Sequence, residues 1–236
     1  MSDPSLIEEQ TAYYRARVEE YDEWFLRVGR YDRGEQHRRQ WTDELETIRT
    51  FISSSSPLGD TLEIACGTGL WTGHLAALAA SLMALDSVEE TIAVNRQKNA
   101  ASQIDYIVAD IFDWEPTHRF DTVFFGFWLS HVPPSHFEKF WAKVGNALKP
   151  QGKVIFADSL KAQRSTASDH HPLNDSGVVE RRLNSGETFR IVKRFYEPRN
   201  LLTTLKEIGW DGVIHSTDEF FLYGAVQQSN KGERRS

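Results

Sequence analysis

The chain has 236 residues, of which 40% are hydrophobic and 26% are charged, a composition that excludes a globally disordered or fibrous chain. This length fits one large domain, because chains divide into several domains beyond roughly 250–300 residues. The formal net charge of -7 argues against a nucleic-acid partner, which requires a basic surface, so an anionic ligand would need a local basic cluster.

Residues 1–56 are predicted to form a helical cap that precedes the main sheet. Two helices are expected between residues 6 and 52, because apolar residues recur there at the spacing of one helical face. The residues that mark these faces are Tyr13, Tyr14, Val18 and Tyr21 in the first helix and Trp41, Leu45, Ile48 and Phe51 in the second. The sequence SSSSPLGD at 53–60 is a loop by composition and separates the cap from the first strand.

An alternation of strands and helices is predicted from residue 57 to residue 160. The expected strands cover 61–65, 81–85, 104–108, 121–126 and 153–157, with helical stretches after most of them. Such alternation implies an α/β protein with a parallel sheet and helices on both faces. The sequence KPQG at 149–152 is expected to end a helix at 137–148 and to turn the chain into the fifth strand.

The last third of the chain departs from this alternation. Residues 161–196 are predicted to form an insertion, a mobile polar loop followed by a hairpin of 178–183 and 187–195 outside the central sheet. His170 and His171 lack the spaced partners of a metal site and are interpreted as loop residues. Residues 197–226 are expected to form a helix at 198–208 and an antiparallel strand pair, followed by a frayed tail at 227–236.

The sequence LEIACGTGLW at 62–71 is the most informative motif. Its glycines allow a tight turn and a close approach to a ligand, and the helix that follows offers unpaired amide groups. The complete Gly-x-Gly-x-x-Gly spacing of dinucleotide-binding proteins is absent, because Ala65 takes the first small position and Trp71 follows the second glycine closely. On its own, the motif fits a tight turn as well as a ligand-binding loop.

Two aspartates favour the ligand-binding interpretation. Asp86 ends the second predicted strand, where a carboxylate can accept hydrogen bonds from both hydroxyls of a ribose. Asp110 ends the third, where it can bond an adenine amino group while Ile111 and Phe112 enclose the ring. Each aspartate alone is more often a helix cap or a turn residue. Together with the glycine motif, however, they converge on one crevice at the carboxyl ends of the strands.

In this order, Glu63, CGTG at 66–69, Asp86, Asp110 and FDTV at 120–123 resemble the motifs of Rossmann-like (class I) S-adenosylmethionine-dependent methyltransferases. The resemblance covers roughly residues 61–158. It implies a mainly parallel, seven-stranded sheet with a reversed last strand, and S-adenosylmethionine as cofactor with S-adenosylhomocysteine as product. The cofactor contacts expected on this basis are Tyr14, Arg17, Glu63, Ala65, Gly67, Gly69, Trp71, Asp86, Ser87, Asp110, Ile111, Phe112 and Phe127.

A narrower resemblance extends over nearly the whole chain. The segments YYRAR at 13–17, FFGFWLSHVP at 124–133, FEKFW at 137–141 and FRIVK at 189–193 are similar to those of the dehydrophos-type phosphonate O-methyltransferases. That resemblance implies that basic residues of the hairpin, here Arg181 and Lys193, hold the anionic group of the substrate. It also implies a contribution from a tyrosine of the cap, for which Tyr31 is the nearest candidate.

The predicted hairpin is rich in basic residues, independently of any resemblance. They are Arg181, Arg182, Arg190, Lys193 and Arg194. One interpretation is a charged sheet edge that discourages aggregation. The other is an anion clamp, because guanidinium groups match the oxygens of a phosphonate or carboxylate. The negative charge of the whole chain favours the clamp.

Four further residues have both a functional and a structural interpretation. His131 follows the fourth strand and either orients or deprotonates the methyl acceptor, or caps the turn before two prolines. Trp128 either packs over the positive sulfonium and its acceptor or fills the core. Tyr14 and Arg17 either close over the methionine portion of the cofactor, with the arginine on its carboxylate, or lie on the surface of the cap.

The sequence therefore predicts an enzyme that O-methylates a small anionic metabolite, a phosphonate or a carboxylate. The alternatives are N- or C-methylation of a neutral small molecule, a non-catalytic module that binds S-adenosylmethionine, and a nicotinamide-dependent oxidoreductase. The single Cys66 excludes an intramolecular disulfide, and no run approaches roughly 18 apolar residues. We expect a cytoplasmic monomer or homodimer with a small-molecule partner and without metal, membrane or nucleic acid.

Overall fold

The computed structural model describes residues 4–100, 103–171, 173 and 176–229. The helices are α1 (Pro4–Ala16), α2 (Tyr21–Leu26), α3 (Glu35–Ser54), α4 (Thr72–Ala76), α5 (Glu89–Lys98), α6 (Phe137–Ala147) and α7 (Pro198–Glu207). The strands are β1 (Asp60–Ile64), β2 (Ser81–Asp86), β3 (Asp105–Val108), β4 (Phe120–Gly126), β5 (Leu148–Ser159), β6 (Val178–Arg182), β7 (Thr188–Val192), β8 (Trp210–Ser216) and β9 (Phe221–Gln228).

Within the described residues, a seven-stranded sheet has the order β3-β2-β1-β4-β5-β9-β8. Strands β1 to β5 pair in parallel, and β9 runs antiparallel to both β5 and β8. Strands β6 and β7 form a separate antiparallel hairpin. This is the Rossmann-like α/β fold with a reversed last strand, a helical cap and a late hairpin insertion, as predicted. The strand order changes direction between β1 and β4, so a crevice opens beyond their carboxyl ends.

The core lies on both faces of this sheet. In β4, Val123 and Phe125 belong to one apolar cluster and Phe124 to another, because successive side chains of a strand point to opposite faces. Helix α6 covers the first cluster with one apolar face, formed by Phe137, Phe140, Trp141 and Val144. Helix α3 covers the second in the same way with Trp41, Leu45, Ile48 and Ile52.

The cap contains three helices where two are predicted. The first predicted helix breaks after Ala16 into a 3-10 turn at Val18–Glu20, and α2 follows. Tyr14 and Tyr21, on either side of the break, line the same cavity. The apolar spacing therefore continues across the break, and the pattern does not reveal it.

Two predicted boundaries are also corrected. Strand β5 begins at Leu148, which pairs with Phe120, and the predicted turn at 149–152 is a bulge within the strand with Gln151 at a φ of 65°. Strand β9 extends through Gln228, so the predicted frayed tail starts later than residue 227, and residues 230–236 lie outside the described part.

The described part of the loop after β5 is hydrogen-bonded to the cap. Trp24 Nε1 and Arg27 donate to the carbonyl oxygen of Ser165 at 2.9 and 3.0 Å, and the Ser168 amide donates to that of Arg30. Residues 172, 174 and 175 of the predicted mobile loop lie outside the described residues. Across the described ranges, no helix is long and apolar enough to cross a membrane.

Candidate functional site

The loop after β1 turns tightly at the edge of the crevice. Ala65, Gly67 and Gly69 have φ values of 54°, 50° and 87°, in the left-handed region. Glycine enters this region freely, whereas a residue with a Cβ, such as Ala65, incurs about 1–2 kcal/mol. A Cβ on Gly69 would lie 2.5 Å from Asn95 Oδ1, so packing against α5 itself requires this glycine. The loop is thus shaped by the protein interior.

Asp86 holds this loop at the end of β2. Its Oδ2 accepts a hydrogen bond from the Gly67 amide and its Oδ1 accepts one from the Val88 amide, both at 2.9 Å. Burial raises the pKa of Asp86, and these two amide bonds act in the opposite direction. Asp86 also lines the cavity, so its carboxylate lies where it could accept a bond from a ligand hydroxyl.

Glu63, predicted as a cofactor contact, does not line this cavity. It is buried behind the loop, where its Oε2 accepts a hydrogen bond from Thr72 at 2.7 Å. Asn95 donates to Thr72 and to the Gly67 carbonyl, and accepts a bond from the Tyr106 hydroxyl. Burial raises the pKa of Glu63 to about 8, so this side chain is mostly protonated at neutral pH. Glu63 therefore supports the loop from below.

Gly69 and Trp71, two more predicted contacts, do not line this cavity either. The Trp71 ring is buried among aromatic neighbours, with Phe25 and Phe124 at centroid distances of 6.0 and 5.8 Å. Trp71 follows the glycines of the motif and directly precedes α4, which begins at Thr72. Both residues hold the loop on the core rather than face the crevice.

Asp110 forms the far wall of the crevice. Its Oδ1 accepts a hydrogen bond from the Phe112 amide at 2.8 Å, which tightens the turn after β3. The Phe112 ring meets His136 edge to face at 5.1 Å. Asp110, Ile111 and Phe112 all line the cavity, so a carboxylate and apolar side chains occur together there.

A large cavity of about 250 Å³ occupies the crevice. The predicted cofactor contacts that line it are Tyr14, Ala65, Gly67, Asp86, Ser87, Asp110, Ile111, Phe112 and Phe127. Lining residues that the sequence analysis missed include Ile7, Gln10, Thr11, Tyr21, Val88, His136 and Lys139. Trp128, predicted as a substrate contact, lines only this cavity, and its Nε1 is buried without a hydrogen-bond partner among the described residues.

A small cavity of about 70 Å³ adjoins the large one. Four residues, Tyr14, Tyr21, Phe127 and His131, line both cavities and form the wall between them. The rest of the small cavity is contributed by the cap, the loop after β5 and the hairpin. Predicted residues that line it are Arg17, Tyr31, Arg181 and Lys193.

The basic residues of the hairpin divide between the inside and the outside of the molecule. Arg181 and Lys193 line the small cavity, whereas Arg182, Arg190 and Arg194 are exposed. Arg190 is engaged by Glu9 of α1, which accepts bonds from its amide and its side chain. The basic cluster is therefore divided, with two cations on the small cavity and three on the surface.

Lys193 is a buried cation with a distant counter-charge. Its Nζ donates to Ser130 Oγ at 2.8 Å and lies 3.7 Å from Asp158 Oδ1. The Asp158 carboxylate is fully buried and also accepts bonds from the amides of Ser130 and Ser159. Burial lowers the pKa of Lys193 to about 8. This ammonium group is thus short of negative charge and suited to an anion.

Arg17 adds a second cation at the junction of the cap and the small cavity. Its guanidinium lies over the rings of Tyr13 and Tyr21, at 5.5 and 5.0 Å from their centroids. No carboxylate among the described residues pairs with it, and its Nε is buried without a hydrogen-bond partner. The guanidinium lacks a carboxylate partner among the described residues and could bind the carboxylate of a ligand.

His131 is neutral and presents one free nitrogen. Its Nδ1 lies 2.7 Å from the Val192 carbonyl oxygen, so Nδ1–H donates this bond and Nε2 carries the lone pair. Burial and the nearby Lys193 hold the pKa of His131 well below 6.5. The ring meets Tyr14 edge to face at 5.6 Å. His131 can accept a hydrogen bond at the wall between the cavities, but it is a weak base.

His170 also lines the small cavity, which the sequence analysis missed. Its ring lies 3.3 Å from the Arg182 carbonyl oxygen and 3.4 Å from Arg181 Nη1, and meets Tyr31 edge to face at 6.3 Å. His171, beside it, is exposed and lies 3.9 Å from Glu180. The two histidines are adjacent in a polar loop, and nothing in the local sequence shows that one lines a cavity while the other is exposed.

Helix α1 closes both cavities. Gln10 donates to the His131 carbonyl oxygen at 3.2 Å and accepts from the Val192 amide at 3.0 Å, so its side chain joins the cap to the hairpin. In α2, Asp22 accepts a bond from Thr68 of the glycine loop at 2.6 Å. Helices α1 and α2, which cover the site, are therefore hydrogen-bonded to both the hairpin and the glycine loop.

Comparison with known proteins agrees with this geometry. A family model described as a methyltransferase domain matches residues 61–152. A structure of a DhpI–SAH complex is 33% identical, with 98% of this chain and 100% of that chain covered at a TM-score of 0.80. A DhpI–SAM–HEP complex is 34% identical, with 96% and 100% covered at a TM-score of 0.79.

Similarity to curated relatives is more partial. Ubiquinone biosynthesis O-methyltransferase of Xanthomonas euvesicatoria is 31% identical over 153 residues, which cover 63% of this chain and 61% of that protein. The curated relatives that the chain matches first, in Arabidopsis thaliana and Sinorhizobium fredii, are covered over 47% and 51% of their length. The chain thus spans about half to three fifths of the curated relatives it matches.

Proposed function

The chain belongs to the class I S-adenosylmethionine-dependent methyltransferases, and from this premise we propose that it transfers the methyl group of its cofactor to an oxygen of a small anionic metabolite. The phosphonates and carboxylates are the substrate classes that we expect. The nicotinamide-dependent oxidoreductase does not fit this family membership.

One observation carries the proposal. Arg181 and Lys193 turn into a small cavity that shares a wall with the cofactor cavity, in a protein whose net charge is -7. Only Asp158 offsets them among the described residues, and it lies 3.7 Å from Lys193. Buried cations without a full set of counter-charges are costly, and a bound anion relieves that cost.

The large cavity suits S-adenosylmethionine by its donor set. Asp86 would hold the ribose and Asp110 the adenine. Arg17, which lines the adjoining small cavity and has no carboxylate partner among the described residues, would bind the methionine carboxylate where the two cavities meet. Trp128 and Tyr14 would offer aromatic faces to the sulfonium. When bound, the cofactor supplies a methyl group on a positively charged sulfur.

The residues of the small cavity would then align the acceptor. Arg181 and Lys193 bind the acid, so that one of its oxygens lies in line with the methyl group across the wall that the cavities share. An oxygen of an acid anion already has the electron pair for the new O–C bond, and the methyl–sulfur bond would break with its electrons left on the sulfur of S-adenosylhomocysteine. No base has to remove a proton. His131 would orient the acceptor through Nε2, while the lid formed by α1 excludes water.

The test is a product assay with the purified protein. S-adenosylmethionine is supplied with ethylphosphonate, propionate, a phenol or an amine, and S-adenosylhomocysteine and methylated product are measured by mass. We expect turnover of the acids. An Arg181→Ala, Lys193→Ala variant is expected to lose about tenfold to a hundredfold in kcat/KM for each residue, because each charge-assisted bond contributes about 1.5–3 kcal/mol.

The matched control is Arg182→Ala, since this neighbouring arginine is exposed. Cofactor affinity should stay the same in all variants. Turnover of neutral acceptors alone, or full turnover of an acid by the double variant, would refute the proposal. Tight cofactor binding without any product would instead favour a non-catalytic binding module.

A further inference from the structure

His170 lies where three parts of the small cavity meet. It belongs to the loop between β5 and β6, its ring contacts the hairpin, and its edge faces Tyr31 of the cap. The loop is itself attached to the cap, because the Ser168 amide donates to the Arg30 carbonyl oxygen at 2.9 Å. Arg30 pairs in turn with Glu20 at 3.0 Å. The imidazole is therefore held in a fixed frame.

The two ring contacts determine the tautomer of His170. Arginine can only donate hydrogen bonds, so Arg181 Nη1, 3.4 Å from Nδ1, requires a lone pair on that nitrogen. The proton must then be on Nε2, which lies 3.3 Å from the Arg182 carbonyl oxygen and can donate to it. Both contacts agree on the Nε2–H form.

Charges around the ring keep it neutral. Arg181 and Arg30 disfavour a further positive charge, Asp169 favours it, and burial disfavours it most. Together these effects lower the pKa of His170 to about 4. The acceptor lone pair on Nδ1 is thus present at every physiological pH.

We propose that His170 is a positioning residue that aims the guanidinium of Arg181 into the small cavity. Among the described residues, Arg181 has no carboxylate partner. A long side chain that is not held in place loses rotational freedom when it binds a ligand, and this loss weakens binding. A neutral acceptor orients the guanidinium without cancelling its charge, which a carboxylate would do. This inference rests on the proposed function of the small cavity as an acid site.

The test compares three variants by the affinity of the protein, saturated with S-adenosylhomocysteine, for ethylphosphonate in calorimetry. His170→Ala should weaken binding about tenfold and raise KM for the acid, with kcat at saturation nearly unchanged. His170→Gln should recover most of the affinity, because its amide offers an acceptor to Arg181 and a donor to Arg182. The matched control, His171→Ala, should bind as the wild type does.

A spectroscopic readout tests the tautomer without any substrate. In ¹⁵N-histidine-labelled wild type at pH 7, the His170 signals, assigned by their loss in His170→Gln, should show neutral imidazole with the proton on Nε2. A charged ring or the Nδ1–H form would overturn the inference. So would wild-type affinity in His170→Ala.

The two proposals fail in different ways. If the wild type binds ethylphosphonate without methylating any acid and His170→Ala weakens this binding, the proposed reaction is wrong and the role of His170 stands. If acids are methylated and His170→Ala is unchanged, the reverse holds. If the wild type does not bind the acid at all, both are refuted.

Discussion

Lys193 illustrates how one residue can be both buried and charged. Its ammonium group exchanges water for the hydroxyl of Ser130 and for a carboxylate that is 3.7 Å away, longer than a normal hydrogen bond. These two contacts do not fully replace hydration of the ammonium group, and its pKa is therefore lowered to about 8. A residue in this condition changes charge within the range in which an enzyme can be assayed.

The first prediction concerns this titration. Lys193 is cationic below pH 8 and loses its proton as the pH rises through about 8, so kcat/KM for the acid should decline by up to about tenfold per pH unit above it. Lys193→Arg should remove this decline, because arginine stays charged. Initial rates at low acid concentration between pH 6 and 9.5 provide the measurement. A wild-type profile that stays flat to pH 9.5 would contradict it.

Asp86 carries a second prediction at the scale of one residue. In Asp86→Asn, the side-chain NH2 group would face the amide N–H of Gly67 or Val88, so that two hydrogen-bond donors oppose each other. One acceptor for the ribose would also be lost. We expect affinity for S-adenosylhomocysteine to decrease roughly tenfold to a hundredfold, as for about 1.5–3 kcal/mol. Calorimetry measures this affinity. The control is Asp105→Asn, an exposed position at the start of β3, at the end of the strand away from the crevice. Equal affinity in both variants would exclude the role of Asp86.

The junction of β1 with α4 rests on a carboxyl group that folding keeps protonated. The pKa of Glu63 is about 8 in the fold against 4.5 for the free side chain. Its contribution to stability is complete below pH 4.5 and is lost as the pH rises through 8. Each pKa unit corresponds to about 1.4 kcal/mol, so the loss amounts to several kcal/mol.

Glu63→Gln should therefore gain stability relative to the wild type as the pH rises from 5.5 to 8.5. Glutamine is neutral, has a similar shape and can still accept the Thr72 hydroxyl. Urea unfolding at both pH values measures the difference, and the ordinary titrations of other groups cancel in the comparison. A difference that does not change with pH would show that Glu63 is already ionised in the fold.

Helix α1 and strand β7 are joined through Gln10. Gln10→Ala leaves the buried Val192 amide without its acceptor, a loss of roughly 1–3 kcal/mol. Because this bond connects the lid to the hairpin, hydrogen exchange should accelerate in α1 and β7 and stay unchanged in β4. Glu8→Ala, an exposed position on the same helix, is the control. Uniform acceleration over all strands would contradict a local opening.

Much of the core could be predicted from the sequence because its signals are local. The strand, the glycine loop and the helix follow one another within residues 60–76, and β2 and β3 both end near their aspartates. Glu63 and Trp71 were assigned to the wrong side of the loop, because a motif gives position along the chain but not the direction of each side chain. Parallel pairing then brings the predicted carboxylates to one crevice.

The small cavity was less predictable because its walls come from distant parts of the chain. The contributing segments include the cap, the segment after β4, the loop after β5 and the hairpin, and periodicity does not show which element packs on which. Arg181 and Lys193 were identified through resemblance, whereas Gln10 and His170 have ordinary local contexts. Only tertiary contacts distinguish His170 from His171.

For the whole molecule, cofactor binding should be measurable as stability. A ligand at a hundred times its dissociation constant stabilises the native state by about 2.7 kcal/mol, which raises Tm by roughly 5–10 °C in a chain of this size. S-adenosylhomocysteine should produce this shift in a thermal scan and NAD should not. An equal shift with NAD, or none with either, would contradict the assignment of the large cavity.

The bond between Gln10 and Val192 spans 182 positions of the chain. During translation, α1 is made well before the hairpin on which it packs, so its inner face stays uncovered until β7 has been made. A nascent chain that ends before the hairpin has the glycine loop and α1, but it lacks the Val192 amide that holds Gln10 of α1 in place. The ability to retain a methyl donor therefore arises only once the hairpin has been made, and products that terminate before it should lack this ability.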